Sequence, residues 1–488
     1  MKRILLAVFF ISNILYSQEK IIDTVQGTKQ NLDEVIVKGI RAKFSSPISY
    51  SNIYKEKLKN KNLGQDLPIL LNFLPSVVTT SDAGAGIGYT GIRVRGVSPQ
   101  STNITINGIP FNDPESMGTF WVNLPDFTSS VQSLQLQRGI GTSTNGSGAF
   151  GASINILTDN ISQTPYAEIS SSFGSFNTRK NTIKFSTGKI NDVFEFSGRF
   201  SKIDSDGYVD RAFSDLKSYF IQGTYLKGST LIKAISFAGH EKTYQSWYGL
   251  TMDQLKENRR QNPYTYENEI DNYKQDHYQL HWNEKINNFW SFNLGLNYTY
   301  GRGYFEQYRE DDNIDTYGGI VSSDTNLNGE KTDTTDLIRR RWLDNDFYVF
   351  NSSLNFVKNK IDLTISSSYS SYVGDHFGEV IWARTFSSNG KIRDRYYEGV
   401  GEKKDLSFFT KLLYSIDEKI EFYSDLQYRN VKYNTSGTTS DLVNMVIDKS
   451  YGFFNPKIGL SYKLNPNSLL YVSYARANRE PNRTDYES

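Results

Sequence analysis

Between Trp290 and Gly301 every second residue is large and apolar. Trp290, Phe292, Leu294, Leu296, Tyr298 and Tyr300 alternate with Ser291, Asn293, Gly295, Asn297, Thr299 and Gly301. A period of two sends the two sets to opposite faces of one β-strand. Such a strand needs an apolar medium on one side and a polar one on the other. The same alternation recurs at Phe194–Phe196–Phe200 and at Ile420–Phe422–Leu426–Tyr428. In the six-residue set the aromatics stand at the ends and leucines in the middle. That order suits a strand whose centre meets lipid tails and whose ends meet headgroups. A soluble sandwich also alternates, but its strands usually run about 5–6 residues. A membrane strand needs about 9–11, and these runs have the second length.

Composition narrows the alternatives. The mean hydropathy of -0.52 excludes a polytopic helical membrane protein, but not a barrel whose strands are apolar on one face only. A net charge of +1 gives no electrostatic pull toward nucleic acid. With Cys 0, disulfides, thiolate zinc sites and thiol nucleophiles are all excluded. Four histidines make an imidazole-rich metal site an unpromising reading, and no cofactor is expected. The first residues read as an export leader. Lys2 and Arg3 are the charged region, Ile4 to Leu15 the apolar region, and Ser17 a small residue suited to cleavage before Gln18.

The pattern divides the chain into four zones: a leader (1–17), a polar tether (18–31), a mixed α+β domain (32–160) and a strand-rich remainder (161–488). In the third zone, Asp66 is expected to cap a helix from about Leu67 to Phe73, and a second helix to start near Pro125-Asp126. From Tyr166 to Asn478 the alternation gives about thirteen strands. Lys358-Asn-Lys360 and Asp417-Glu418 read as tight reversals, whereas Glu241 to Asn272 and Arg302 to Leu343 read as long polar loops. Short turns at one end and long loops at the other are the habit of an outer-membrane barrel.

Several short motifs stand in order in the third zone. They are IRVRG (92–96), ITINGIPFND (104–113), LQLQRG (134–139) and GAFGASINILT (148–158). Asn107-Gly108 between two apolar runs is a strong hairpin signal. Gly146, Gly148 and Gly151 fit G-x-G-x-x-G in form. The next stretch, Ala152 to Thr158, alternates like a strand, so the helix that a dinucleotide site requires is missing. No nucleophile elbow and no H-E-x-x-H occurs, and an enzyme is not expected.

In this order the motifs resemble the plug domain of TonB-dependent outer-membrane receptors. The resemblance covers about Asn31 to Asn160 closely and the remainder in pattern only. It implies a mainly β protein: a transmembrane antiparallel β-barrel with an N-terminal α+β plug inside it, in the outer membrane of a Gram-negative bacterium. The family's barrel has about twenty-two strands, so the expectation is a chain that stops short of the closing strands.

The resemblance also assigns roles. Leu32, Asp33, Glu34, Val35, Ile36 and Val37 look like a TonB box, an extended segment able to add itself to the edge of TonB's sheet. Arg93, Arg95 and Arg138 are expected to pair with acidic side chains of the barrel wall, a role suited to a guanidinium. Phe111, Met117, Phe120 and Trp121, with Tyr89 of the glycine-rich loop 81–89, are candidates for contact with a small-molecule cargo. A ferric chelate is the default cargo. The expected partners are TonB with its inner-membrane energising complex, outer-membrane lipid and the cargo itself. The alternative is an adhesin or passive pore without energy coupling.

Overall fold

The computed structural model of the chain describes residues 41–146, 150–325 and 329–487. The leader, the tether and the Leu32–Val37 segment lie outside the described residues.

The N-terminal domain is built on a five-stranded sheet. Its strands come from β1 (Tyr50–Tyr54), β2 (Val77–Ser81), β3 (Thr90–Val94), β4 (Thr102–Ile106), β5 (Ile109–Pro110), β6 (Val131–Arg138) and β7 (Ala152–Thr158). The main sheet runs β1-β6-β7-β4-β5, with β2 and β3 as a separate pair. Every residue of β7 is buried, as befits a central strand covered on both faces. It pairs parallel with β4 and antiparallel with β6. Asn107 and Gly108 both take positive φ (54° and 83°) to make the tight β4–β5 turn, the hairpin expected of this dipeptide.

Both expected helices are shorter than the sequence suggests. The first covers Leu67–Leu70, and the Asp66 side chain makes no cap hydrogen bond. Its carboxylate instead accepts from Thr90 Oγ1 at 2.9 Å. The second is a 3-10 turn, Phe127–Ser130, entered through a left-handed Asp126. A helix at Lys55–Lys59 went unread.

The remainder forms one antiparallel meander of thirteen strands. These are β8 (Tyr166–Phe173), β9 (Arg179–Ser186), β10 (Phe194–Ser205), β11 (Ser214–Lys227), β12 (Thr230–Tyr244), β13 (Ile270–Lys285), β14 (Trp290–Asn313), β15 (Thr334–Lys358), β16 (Ile361–Ala383), β17 (Arg395–Ser415), β18 (Ile420–Gly437), β19 (Ile447–Asn465) and β20 (Ser468–Ala475). Connections alternate between short turns, such as 359–360 and 466–467, and longer loops, of which 245–269 and 314–333 are the longest. β14 and β15 run well into the stretch read as one long loop. Beyond lipid both faces of a strand are wet, so the hydrogen-bond ladder continues where the alternating pattern fades.

The sheet is inside out relative to a soluble protein. On β18, Leu426 and Tyr428 are 44% and 53% exposed, whereas Gln427 between them and Asp425 and Arg429 on either side are 3%, 0% and 1% exposed. β10 repeats this, with Phe194, Phe196 and Phe200 outward and Glu195, Ser197, Arg199 and Ser201 buried. A water-soluble sandwich would bury the other set. The buried polar face closes on the N-terminal domain, which is thus a plug. Ser218 on β11 donates to Pro125 O (2.6 Å), Asn351 on β15 to Gly108 O (2.9 Å) and Lys403 on β17 to Pro114 O (2.6 Å). Gly239 on β12 lies so close to the backbone of Asn123 that a Cβ there would sit 2.1 Å from its carbonyl oxygen.

Leu296 stands on the outward face of β14. Leu296→Arg is expected to cost about 2–4 kcal/mol of folding stability in a bilayer, and Leu296→Phe much less. Denaturant unfolding from liposomes reads both. A neutral arginine would show that this face does not meet lipid.

Candidate functional site

The loop after β5 is a built structure. Asn112 Oδ1 accepts from Ile104 N at 2.7 Å, while its Nδ2 donates to Thr102 O (2.9 Å) and Met117 O (3.0 Å). Asp113 Oδ1 accepts from both the backbone N and the hydroxyl of Ser116, each at 2.7 Å. Burial pushes the Asp113 carboxyl up from its ordinary range. These bonds fix Phe111, Asp113 and Phe120 at the end of the plug that faces the long loops.

Above them lies a cavity of about 610 Å³. Tyr89, Phe111 and Phe120 of the plug form one side. Trp247, Tyr273, Phe305 and Tyr397 of the wall and its loops form the other. Tyr89 meets Trp247 edge-on at 5.4 Å, and Trp247 meets Phe305 in the same way at 5.4 Å. The Tyr89 hydroxyl donates to Asp271, which ties the plug loop to β13. Arg341 also lines the cavity. Its guanidinium lies 5.9 Å from the Phe305 ring centre, and its Nε donates to Tyr396 OH at 3.4 Å. Among the described residues Arg341 enters no ion pair. The lining also holds the carboxyl groups of Asp113, Glu241 and Asp271, each pushed up by burial toward its neutral form. The arrangement thus offers a guest π-faces, one guanidinium in no ion pair and acids whose ionisation burial disfavours.

Of the five residues expected at the cargo, Tyr89, Phe111 and Phe120 share this cavity. Met117 lines a second, polar cavity of about 180 Å³ nearer the short-turn end. Trp121 belongs to neither. It is buried in the plug's hydrophobic core with Ile92, Leu134 and Ile154. Trp247, Phe305 and Arg341 were missed. The signal available was the scatter of aromatics through stretches too polar to be read as strands. Among the described residues no cluster of His, Cys, Asp and Glu is placed to hold a metal ion.

The plug arginines do not take the expected positions. Arg138 bonds within the plug, donating to Pro75 O and Ser51 Oγ, each at 3.1 Å. β3 ends at Val94, and Arg95 turns into a left-handed conformation (φ 55°), so Arg93 and Arg95 do not leave one strand face. Both are exposed, and among the described residues neither joins an ion pair.

Lys43–Asp362 and Lys59–Glu168 do pair a plug base with a wall carboxylate, but the most buried pairs show the reverse polarity, with the carboxylate on the plug and the base on the wall. Asp126 lies 2.6 Å from Lys180 Nζ on β9 and 4.0 Å from Arg199 on β10. It also accepts from Thr182 (2.7 Å) and Ser201 (2.6 Å). Burial pushes its carboxyl up, but Arg199 and Lys180 outweigh that and hold it far below the usual range. Asp159 pairs with Lys184 on β9 and with Lys55 of the plug itself. Glu115 accepts from His376 on β16, Tyr433 on β18 and Arg483. Burial opposes ionisation there too, yet the His376 hydrogen bond, with the charges of His376 and Arg483, brings Glu115 down to about 2.

Comparison with known proteins agrees with this architecture. The family model "TonB-dependent Receptor Plug Domain" matches residues 42–153, and "TonB dependent receptor-like, beta-barrel" matches residues 233–488. The chain is 24% identical over 190 residues to a probable TonB-dependent siderophore receptor, PirA, of Acinetobacter baumannii, covering 37% of this chain and 23% of that one. It is 25% identical over 206 residues to the ferric enterobactin receptor PirA of Pseudomonas aeruginosa, covering 38% of this chain and 28% of that one. The match thus spans about a quarter of each curated relative. Its fold is similar to the ferric-catecholate import receptor Fiu of E. coli K12 (TM-score 0.68, 14% identity, 90% of this chain and 70% of that). It is also similar to the ferric yersiniabactin uptake receptor FyuA of Yersinia pestis (TM-score 0.66, 14% identity, 90% and 66%).

Asp126→Asn would strand Lys180 and Arg199 in a buried site, at an expected cost of about 3–5 kcal/mol. The pH dependence has a definite sign. The folded-state pKa values of Asp126 and Glu115 lie below their unfolded ones. Their contribution is therefore complete above about pH 4 and is lost as pH falls below it. Melting of the detergent-solubilised protein from pH 7 to pH 3 should show this decline, with a flatter curve for Asp126→Asn.

Proposed function

This chain belongs to the TonB-dependent receptor family, and we propose that it works as an outer-membrane importer of a ferric chelate of siderophore type. The observation that carries the cargo reading is the aromatic cavity between plug and long loops, with Arg341 in it, a guanidinium that enters no ion pair among the described residues. Asp113, Glu241 and Asp271 line the same cavity, and burial pushes their carboxyls toward the neutral form. Ferric siderophore complexes are commonly anionic, with an organic shell around the metal, and a guanidinium set among π-faces complements both properties. The names of the relatives support the same class. Iron here is cargo rather than a resident cofactor.

Location in the outer membrane of a Gram-negative bacterium follows the family. So does the energy source: TonB, driven from the inner membrane, engages the Leu32–Val37 segment. Cargo binds at the plug's outer end and biases that segment toward TonB. The pull then opens a path past the plug. An adhesin or passive pore has no use for an occluding plug and is the weaker reading.

Two outcomes test the proposal. Arg341→Ala is expected to weaken binding of an anionic ferric chelate by about ten-fold, the value of one lost charge-assisted contact, while a neutral chelate is affected less. Fluorescence titration of purified protein reads this. Val35→Pro is expected to abolish uptake of radiolabelled iron but to spare cargo binding, since proline removes a donor and blocks strand addition. Unimpaired uptake in that variant would remove the energy-coupling part of the reading.

A further inference from the structure

We infer that Glu115 is the latch that couples cargo occupancy to release of the plug, a role that rests on the import reading above. The loop 112–118 has two working sides. On one, Asp113 lines the cargo cavity between Phe111 and Phe120. On the other, two residues later, Glu115 is buried in the wall.

The wall is shaped as a socket for this side chain. Glu115 Oε2 accepts from His376 Nε2 at 2.7 Å. Oε1 accepts from Tyr433 OH at 2.8 Å and from Arg483 Nη1 at 3.2 Å. Arg483 N donates to the Glu115 carbonyl at 3.1 Å, and Lys403 Nζ to the neighbouring Pro114 carbonyl at 2.6 Å. Gly401 supplies the notch, since a Cβ there would lie 2.0 Å from Oε1. Any larger residue on β17 would push the carboxylate out.

The latch differs from the other plug–wall ion pairs in where its partners stand. Lys180, Arg199 and Lys184 have no place in the cargo cavity. His376 lines it. A ring nitrogen that donates to Glu115 cannot at the same time donate to an anionic guest. Cargo that turns the His376 ring so that Nε2 leaves Glu115, or that shifts the Asp113 turn, withdraws a bond from Glu115 and loosens the loop on the wall side. Cargo binding and latch opening become linked equilibria, and by reciprocity an open latch alters cargo affinity.

The chain contains no cysteine, so a single introduced one is an unambiguous reporter. Thr119 follows the loop, and among the described residues its buried hydroxyl has no hydrogen-bond partner, which makes Thr119→Cys a mild change. Maleimide labelling of T119C in outer-membrane preparations is the readout, with and without ferric enterobactin as the probe. Labelling is expected to be slow without the probe and about ten-fold faster with it, within the usual range of such coupling. Adding Glu115→Ala should make labelling fast without the probe and leave little further response, with probe affinity raised by up to about the same ten-fold that the linkage sets. His376→Asn, which removes one bond and leaves the socket, should give an intermediate rate and a blunted response. It also stands in should Glu115→Ala fail to fold.

Labelling of the Glu115→Ala or His376→Asn protein at the unaltered rate, with a normal probe response, would overturn the latch. If the probe neither binds nor speeds labelling in T119C, the cargo reading fails instead. The probe-free comparison of T119C with its Glu115→Ala and His376→Asn forms still decides whether Glu115 holds the loop.

Discussion

A wall that turns mostly polar residues inward grips another domain largely through hydrogen bonds and ion pairs, and the plug's buried carboxylates meet that condition. Asp126, with Lys180, Arg199, Thr182 and Ser201 around it, is the fullest case. Such a pair adds little net stability, because desolvating the charges cancels much of the attraction. Breaking it on one side is costly, because a charge then stays behind unpaired. Buried pairs thus fix where a domain sits more than they strengthen the whole. A plug that must rest in one place and later leave it is well served by contacts of that kind.

The inverted wall also organises the space above the plug. Strands that continue past lipid carry aromatics on their inner faces, and Tyr273 on β13 and Phe305 on β14 reach the cavity in this way. The loop 245–269 adds Trp247. The plug closes the cavity from below with Tyr89, Phe111 and Phe120. The cavity is therefore shared between plug and wall, and on the import reading proposed above a guest touching both would have a physical route to bias their separation.

Strand periodicity was legible because lipid demands it. Trp290 to Tyr300 and Ile420 to Tyr428 announce an outward apolar face, and the count of about thirteen strands matches the observed meander. The Asn107-Gly108 turn was legible because few dipeptides accept two successive positive φ angles. Where lipid stops, so does the constraint, and the outer halves of β14 and β15 were read as loop. The site was harder for a related reason. Phe111 and Trp121 look alike in sequence, and only packing sends one to the cavity and the other to the core. Ion-pair partners at separations such as Glu115 to His376 leave no local trace. A motif arginine attracts attention by its position, yet Arg138 is satisfied by a serine and a carbonyl of its own domain.

Apolar and polar contacts around the plug are unevenly distributed, and this sets the direction in which it can yield. The plug's hydrophobic core extends into the wall at Phe220, Ile235 and Phe237 of β11 and β12, with Phe127 packed on Phe237 at 5.2 Å. Along β15 to β17 the facing surface is hydroxyl-rich instead, and Ser352, Ser366, Ser368, Ser370 and Ser407 line the polar cavity. Parting the two on the serine side exchanges protein hydrogen bonds for water's, a net change of only about 1 kcal/mol per bond. Parting them on the phenylalanine side uncovers apolar surface at about 25 cal/mol per Å² with nothing in return. On these magnitudes, separating plug from wall costs less on the serine side than on the phenylalanine side. The Glu115 socket, which draws on β16, β17 and β18 and on Arg483, stands on the serine side.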